Sequence, residues 1–309
     1  MKQTPLISII IPTYNHANFL GRALKSIIDQ TYNNWEAIVV DNHSSDNTNE
    51  VVKSFNDSRI KYLKIYNNGV IAVSRNMGIR TSNGEWIAFL DSDDWWTIDK
   101  LQVCFSAINE RVDFVYHYLT IDSDKPRYLR QSLLRTPQVK KPVVLDLLIN
   151  GNKIMNSSVV VRKKLLLDIG GINENEKIIA SEDYDTWLRI AKITDNFLCV
   201  PSKLGFYGVH NSNTSSISRR DMSLSDRVVV ADFISLLDHR QKVKVEARLN
   251  YARGRFNYFN GSYRKAIANL SYVFFYHHNL LFRLKAFISL FNLLIFKLPR
   301  LFFHKLLNR

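Results

Sequence analysis

Cysteine is scarce in this sequence of 309 residues, and no apolar run is long enough to cross a membrane. The two cysteines, Cys104 and Cys199, lie in apolar surroundings, so a disulfide framework is not expected and a reducing cytoplasm is favoured. The first apolar run, residues 6–11, is too short for the hydrophobic part of a secretory signal. The longest uncharged apolar piece near the C-terminus, residues 286–296, would extend about 16 Å as a helix, against about 30 Å of membrane hydrocarbon.

Acidic residues are missing from the last part of the chain. The formal net charge is +14, and residues 216–309 carry 17 Lys and Arg against 5 Asp and Glu, with no acid after Glu246. Aromatic and aliphatic residues are dense in the same stretch, which predicts basic amphipathic helices lying on an anionic membrane surface. A buried C-terminal helix whose basic side chains reach solvent is the alternative. Nucleic-acid binding is not expected, because the aromatic residues are interleaved with Leu and Ile at helical spacing.

A glycine-rich dinucleotide fingerprint is absent after the first predicted strand, where the sequence reads P-T-Y-N-H-A-N-F-L-G. This argues against a Rossmann oxidoreductase. What is present is a series of short branched apolar runs, which predict strands at 6–11 (ended by Pro12), 35–40, 60–65 and 86–90, with helical patterns between them. The alternation predicts an α/β fold with a mostly parallel, doubly wound sheet and a C-terminal helical extension.

Polar residues follow the predicted strands, at the edge where an open α/β sheet binds ligands. After the fourth strand stands D-S-D-D, residues 91–94, here called the acid turn. Because side chains alternate in extended chain, Asp91 and Asp93 are expected to point the same way. Paired carboxylates suit Mg²⁺ or Mn²⁺ bound together with substrate phosphates. The alternative is that these acids only cap the following helix.

Five ordered blocks resemble the successive signatures of glycosyltransferase family 2, inverting enzymes with the GT-A fold: I-I-I-P-T-Y-N, A-I-V-V-D-N-H-S-S-D, N-G-V-I-A-V-S-R-N-M-G-I, F-L-D-S-D-D and S-E-D-Y-D-T-W-L-R-I-A. Five blocks at family-like spacing are specific where one alone would be weak. The resemblance implies a catalytic domain at residues 1–215, with a nucleotide-sugar half at about 1–95 and an acceptor half at about 96–215. Residues 216–309 would form the basic, aromatic-rich helical region.

The resemblance also implies a nucleotide diphosphate sugar as donor and Mn²⁺ or Mg²⁺ as cofactor. Asp93 would be the principal metal ligand, with Asp91 nearer the ribose or the metal's water shell and His210 approaching the metal or the diphosphate. The other nucleotide-sugar contacts would come from Pro12, Thr13, Tyr14, Asn15, Asp41, Asn42, Arg75 and Ser92. Family members commonly have an acid at the position of Asn42, so a UDP-sugar is expected without UDP being fixed.

A general base for the acceptor hydroxyl is the second requirement of this chemistry. The resemblance assigns it to Asp183 of the Glu182, Asp183 pair and makes Glu182 a second catalytic acid. The alternative is that these acids only complement a helix dipole. The acceptor or lid residues would be Asn156, Ser157, Trp187, Arg219 and Arg220. Trp187 is also expected on the buried face of its helix. Residues 211–220 would form a lid over the donor.

Together these expectations describe a metal-dependent inverting glycosyltransferase that extends a lipid-linked or cell-surface glycan. It would act in the cytoplasm, as a peripheral protein on the inner face of a bacterial plasma membrane. A sugar nucleotidyltransferase would also need paired acids and a nucleotide site at the sheet edge, but it would release pyrophosphate. A catalytically inactive, membrane-associated scaffold of the same fold is the third reading, and the intact D-S-D and E-D pairs argue against it.

Overall fold

The computed structural model describes residues 4–123, 133–210 and 221–297. The chain divides into two units, Met1–Leu147 with Asn152–Ser212, and Leu148–Gly151 with Asn213–Arg309. The predicted domain boundary at residue 215 lies outside the described residues.

A mixed sheet forms the first unit, with the strand order β3-β2-β1-β4-β8-β6-β9-β5 and β7 paired to β6. Its strands are β1 Ile7–Thr13, β2 Trp35–Asp41, β3 Ile60–Lys64, β4 Trp86–Phe89, β5 Trp95–Trp96, β6 Phe114–Ser123, β7 Leu133–Leu134, β8 Val160–Arg162 and β9 Phe197–Val209. The helices up to β9 are α1 Ala17–Ile28, α2 Thr48–Ser54, α3 Ile71–Thr81, α4 Lys100–Ala107, α5 Val143–Asn150, α6 Lys163–Asp168 and α7 Glu182–Ala191.

Strand β1 is central to the parallel half of the sheet. All seven of its residues are buried, and it pairs in parallel with β2 on one side and β4 on the other. A strand covered on both faces shows a continuous apolar run, which explains the lack of alternation in I-S-I-I-I. Helix α1 buries one apolar stripe, including Leu20, Leu24 and Ile27, in the core cluster of this sheet.

Pro12 does not end the first strand as the sequence predicted. It lies within β1 and is opposite Val40 of β2. On the other side, the pairing of β1 with β4 stops at Ile10, opposite Phe89. Beyond Ile10, β1 therefore has one neighbour, and a residue without an N–H is tolerated on a strand side that makes no ladder hydrogen bond.

The strand order places a crevice at the carboxyl ends of β1 and β4. The chain runs outward from β1 through β2 to β3 and then returns to β4 on the other side of β1. Such a reversal of winding leaves a ligand crevice between the two diverging connections. The second half of the sheet is mixed rather than parallel, because β8 is antiparallel to β4 while β6 and β9 are parallel to each other.

The second unit contains helices α8 Met222–Ala231, α9 His239–Phe259, α10 Tyr263–Tyr276 and α11 Leu280–Asn292. Helices α9 and α10 form a hairpin, with Gly261 in the turn at a φ of 72°. Close packing explains Gly254, since a Cβ there would lie 2.8 Å from Leu270 Cγ. Within the described part of the chain, no helix combines the length and apolarity that crossing a membrane requires.

Candidate active site

Asn15 ties together the loops that follow β1 and β2. Its backbone N–H donates to Ser44 Oγ at 2.8 Å, and its Oδ1 accepts from the Ser45 N–H at 2.8 Å. Its φ of 51° is left-handed, a conformation that Asn tolerates better than most residues. Beside it, the Asn42 N–H donates to the Thr13 carbonyl at 3.0 Å. The first two predicted nucleotide-binding segments therefore lie together at the sheet edge.

The Asp41 carboxylate at the end of β2 is fully buried and already accepts hydrogen bonds within the protein. Its donors are the Ser44 N–H and hydroxyl and the Tyr62 hydroxyl, the last at 2.6 Å. Burial and the Asp41 charge raise the pKa of Tyr62, so that hydroxyl remains a donor. Asn42 Oδ1 likewise accepts from the Asn67 N–H at 2.9 Å. A nucleobase N–H would therefore compete with these donors.

Exposed aromatic rings border the same segments. Tyr14 follows β1 and is 56% exposed, whereas Pro12 and Thr13 are buried within the strand. His43 and Tyr66 stack on each other, with ring centroids 3.6 Å apart and planes inclined by 8°. The sequence analysis did not identify this pair, although His43 comes shortly after the predicted strand at 35–40 and Tyr66 directly follows the one at 60–65. Flat exposed rings at this edge suit a heterocyclic base, because aromatic rings favour stacked contacts.

The acid turn alternates between partly exposed and buried side chains. The side chains of Asp91 and Asp93 are 28% and 15% exposed. Ser92 and Asp94 are buried, and Asp94 Oδ1 accepts from the Gly208 N–H on β9 at 2.9 Å. Burial and the neighbouring carboxylates raise the pKa of Asp94 well above its usual range. Asp94 therefore joins the acid turn to β9, while Asp91 and Asp93 remain accessible.

Two histidines lie beside Asp93. His210 Nε2 is 2.9 Å from Asp93 Oδ2, and its ring stacks on Phe19 with centroids 4.3 Å apart. His16 Nδ1 is 2.8 Å from Ser92 Oγ, and its ring centroid is 5.8 Å from that of His210. The sequence predicted His210 here but missed His16, for which the only signal was its place in the turn after β1. The pair brings imidazole nitrogens to the acid turn from both ends of the catalytic unit.

This edge has the donor chemistry for a hard divalent cation. Burial and, after it, repulsion from the nearby Asp91 carboxylate raise the pKa of Asp93. A cation would relieve that repulsion. Across residues 4–123, 133–210 and 221–297, no three His, Cys, Asp or Glu side chains are grouped to hold a metal by themselves. Mg²⁺ usually binds through one or two carboxylates plus substrate phosphates and water, so it needs no such group.

Asp91 is fixed from three directions. Its Oδ1 accepts from Arg75 Nη2 at 2.8 Å and from Asn156 Nδ2 at 3.0 Å. Its backbone N–H donates to Ser157 Oγ at 3.0 Å. Asn156 and Ser157 were predicted on the acceptor side, and the structure uses these polar groups to hold the acid turn. Arg75 was predicted to meet a phosphate or the base, whereas the structure places it between Asp91 and Glu182.

Asp183 begins α7 together with Glu182. Its side chain is partly exposed, and its two oxygens accept from the Tyr184 N–H at 2.7 Å and from Asn152 Nδ2 at 3.1 Å. Burial of the carboxyl group and the neighbouring Glu182 raise the pKa of Asp183 to about 7. A carboxylate with a pKa near neutrality is suited to accept a proton during catalysis.

Comparison with known proteins decides the family. The family described as Glycosyl transferase family 2 matches residues 8–162, half of the chain. The chain belongs to glycosyltransferase family 2. It is 31% identical over 232 residues, covering 72% of this chain and 87% of the relative, to the *Escherichia coli* protein named UDP-Glc:alpha-D-GlcNAc-diphosphoundecaprenol beta-1,3-glucosyltransferase WfgD. The predicted family and the prediction of a glycosyl-transfer enzyme are thereby confirmed.

Two solved structures share the family 2 fold. *S. aureus* TarS 1-349 in complex with UDP-GlcNAc has a TM-score of 0.64 at 19% identity, covering 87% of this chain and 80% of its own. The mannosyltransferase PcManGT from *Pyrobaculum calidifontis*, in complex with GDP-Man and Mn²⁺, has a TM-score of 0.61 at 18% identity, covering 97% and 84%. These likenesses confirm the predicted GT-A fold with C-terminal helices.

Of the predicted acceptor or lid residues of this family 2 chain, one is buried in the core and two lie outside the described residues. Trp187 is 1% exposed and packs against Phe114 and Phe89, with ring centroids 4.9 and 6.1 Å away. It belongs to the core, so its acceptor-side assignment was wrong and the buried-face expectation is right. Arg219 and Arg220, with the rest of the predicted lid at 211–220, lie outside the described residues.

Proposed function

We propose that this enzyme transfers a sugar, with inversion, from a nucleotide diphosphate sugar, most simply a UDP-sugar, to a hydroxyl of a lipid-linked or cell-surface glycan. The observation that carries the proposal is the pair of accessible acids, Asp91 and Asp93, linked through Arg75 to the helix start that bears Asp183. The name of the *E. coli* relative supports the substrate classes, since it specifies a UDP-Glc donor and a diphosphoundecaprenol-linked acceptor.

A divalent cation, Mn²⁺ or Mg²⁺, would be held by Asp93 as the principal protein ligand together with the phosphates of the donor. Asp91 would lie nearer the ribose or the water shell of the cation, and His210 would approach the cation or the diphosphate. When bound, it would act as a Lewis acid on the leaving diphosphate. The hard carboxylate oxygens of the acid turn support this choice of ion. The Mn²⁺ in the related mannosyltransferase structure is consistent with it. The chain's own contribution is to keep Asp91 and Asp93 accessible on one side of the turn.

Asp183 would take the proton of the acceptor hydroxyl. The acceptor oxygen forms a bond to the anomeric carbon as the bond from that carbon to the diphosphate breaks, and nucleoside diphosphate leaves. One displacement from the opposite face inverts the anomeric centre. The hydrogen bonds from the Tyr184 N–H and Asn152 hold the Asp183 carboxylate in place for this step. With a pKa of about 7, Asp183 is largely deprotonated only above neutral pH.

The donor nucleotide would lie along the loops after β1 and β2, with Tyr14 stacking on the base and Asn15 beside it. Pro12, Thr13 and Ser92 are buried and would support this surface from below. Asp41 and Asn42 would recognise the base edge, after rearrangement of the donors that now occupy their oxygens. An Asn oxygen accepts a hydrogen bond without charge assistance. The choice of UDP therefore rests on the relative's name more than on Asn42.

The second unit would bind the inner face of the plasma membrane from the cytoplasm. Its helix α11 and the following turn expose a row of large apolar side chains: Leu280, Leu281, Leu284, Phe287, Ile288, Phe291, Leu294 and Ile295. At about 100° per residue the α11 members fall on one face, here called the α11 face. Lys285 is exposed beside it, and no acid follows Glu246. An exposed apolar face with a basic residue beside it, in a stretch of sequence without acids, suits anionic lipid.

Product analysis tests the proposed reaction. Wild-type enzyme, a panel of nucleotide sugars, Mn²⁺ and a lipid-diphosphate sugar acceptor should give nucleoside diphosphate and an inverted glycoside. Asp183→Asn should bind nucleotide with near wild-type affinity while turnover falls at least about 100-fold, the usual contribution of a general base. Release of pyrophosphate would indicate a nucleotidyltransferase, and wild-type turnover by the variant would contradict the base assignment.

A further inference from the structure

Arg75 is a buried cation held between acids from distant parts of the chain. Its side chain is 4% exposed, and it pairs with Asp91 and Glu182 at 2.8 and 2.7 Å. Although burial alone would lower it, the Asp91 and Glu182 charges raise the pKa of Arg75 above its ordinary value. An unpaired charge in a protein interior is strongly unfavourable. The position of the guanidinium therefore depends on both carboxylates.

The two ion pairs use separate nitrogens of the guanidinium. Nη2 donates to Asp91 Oδ1 and Nη1 donates to Glu182 Oε1, so one planar group joins two carboxylates. Within the described part of the chain, neither Arg75 Nε nor Glu182 Oε2 has a hydrogen-bond partner. A guanidinium has a rigid fork of donors, which a lysine ammonium cannot reproduce. The distance between the two acids is thus set by one side chain.

The two ends of this bridge belong to different parts of the proposed mechanism. Asp91 is in the acid turn that would hold the cation and diphosphate. Glu182 has a buried side chain and is followed directly by the partly exposed Asp183. Because Glu182 points into the ion pair, it anchors the first turn of α7 and leaves Asp183 as the accessible acid.

We infer that Arg75 is a positioning residue, which pairs with Asp91 and Glu182 at once and thereby fixes the Asp183 end of α7 relative to the acid turn. This inference rests on the proposed function, in which Asp183 is the base. It gives Glu182 the role of an anchor rather than of a second catalytic acid. A purely structural ion pair would contribute to stability alone, so the two roles differ in whether a change at Arg75 that keeps its charge also lowers kcat.

Two charged groups act on the Asp183 carboxyl with opposite signs. Glu182, on the same helix, raises the pKa of Asp183, and Arg75, from α3, lowers it. Asn152, from the loop before the 3-10 turn Asn156–Ser158, contributes an uncharged donor. Removing the charge of Glu182 should therefore lower the pKa of Asp183, and removing the charge of Arg75 should raise it.

The test is the pH dependence of kcat/KM for the full-length enzyme with Mn²⁺, donor and acceptor. The acid limb of this profile is the range in which activity rises with pH as Asp183 loses its proton. Its midpoint should move up by about one pH unit in Arg75→Gln and down by about one in Glu182→Gln, as expected for loss of one nearby charge. Arg75→Lys keeps the charge but not the fork, so the limb should stay while kcat falls about ten-fold. Metal-dependent nucleotide binding should stay within a few-fold in Glu182→Gln.

Arg189→Gln is the matched control, because Arg189 is also ion-paired on α7, to Asp185 at 2.7 Å, but does not contact Glu182. It should lower thermal stability and leave the acid limb in place. If Arg75→Gln fails to fold, Glu182→Gln and Arg75→Lys still decide the question.

Acid limbs that stay at the wild-type position or move in the same direction, or a folded Arg75→Lys enzyme with wild-type kcat, would overturn the inference. With Asp183→Asn inactive, that result would leave the proposed function standing. Full activity in Asp183→Asn, or a wild-type profile without an acid limb, would instead remove the proposed base itself.

Discussion

Gly208 provides a test of how strictly the backbone of the acid turn must be placed. It lies on β9, and a Cβ added there would be 2.3 Å from the Asp93 carbonyl oxygen, where real Cβ contacts essentially never fall under 3.0 Å. Both sides of this contact are backbone, so the acid turn or β9 must shift by about 0.7 Å in a close-packed interior. Because misplacing a reacting group by about 1 Å can lower a rate about 100-fold, we expect kcat/KM of Gly208→Ala to fall between about 10- and 100-fold.

The assay is nucleoside diphosphate release with saturating Mn²⁺, together with calorimetry of metal-dependent nucleotide binding. Gly205→Ala is the matched control on the same strand, where the nearest atoms are the Leu119 and Trp96 side chains at 3.0 Å. The Trp95 carbonyl oxygen is 3.1 Å away, so all three neighbours need to move by only a few tenths of an ångström. Gly205→Ala should therefore lower the melting temperature but keep kcat/KM within about three-fold. A Gly208→Ala enzyme with native circular dichroism and wild-type kcat/KM would refute the reasoning.

Three further predictions concern the cation, the membrane and acid stability. Asp93→Ala should abolish metal-dependent nucleotide binding in a calorimetric titration, and unchanged binding would contradict its role as the principal ligand. Phe287→Glu on the α11 face should weaken sedimentation with phosphatidylglycerol vesicles about ten-fold or more through lost apolar burial, whereas Phe259→Glu on α9 should not; equal binding by both variants would remove the proposed surface. Burial alone would raise the pKa of Glu36, but its hydrogen bonds, of which the one from Lys61 has the largest effect, lower the pKa to about 2. The contribution of Glu36 to stability is therefore present above pH 4.5 and is lost as the pH falls toward 2. Glu36→Gln should therefore lower unfolding free energy at pH 7 by about 3 kcal/mol in urea titrations and flatten the dependence over that range; an unchanged acid profile would contradict this.

The parallel half of the fold was accessible from sequence because each strand is a short apolar run and each helix has its own periodicity. The predicted strand at 86–90 corresponds to β4, and the helical pattern between the third and fourth predicted strands corresponds to α3 Ile71–Thr81. These patterns are local. The extension of β1 through Pro12 was not accessible, because it depends on where β4 stops pairing, which no residue near Pro12 encodes.

The site was accessible only in part, for a similar reason. The residues of the acid turn and the Glu182, Asp183 pair are each adjacent in the sequence, so a sequence motif can identify them. The partners of Arg75 lie 16 and 107 residues away, so its ion pairs depend on the tertiary structure. Asn156 illustrates the same limit, since a polar residue expected to face an acceptor instead donates to Asp91.

The guanidinium bridge also constrains how such enzymes can be recombined. Arg75 comes from the predicted nucleotide-sugar half and Glu182 from the predicted acceptor half. A chimera that joins these halves from two relatives would leave a buried ion without its counterpart unless both parents carry the same pair. Exchange of acceptor modules to obtain new linkages should therefore succeed most readily between parents matched at these two positions.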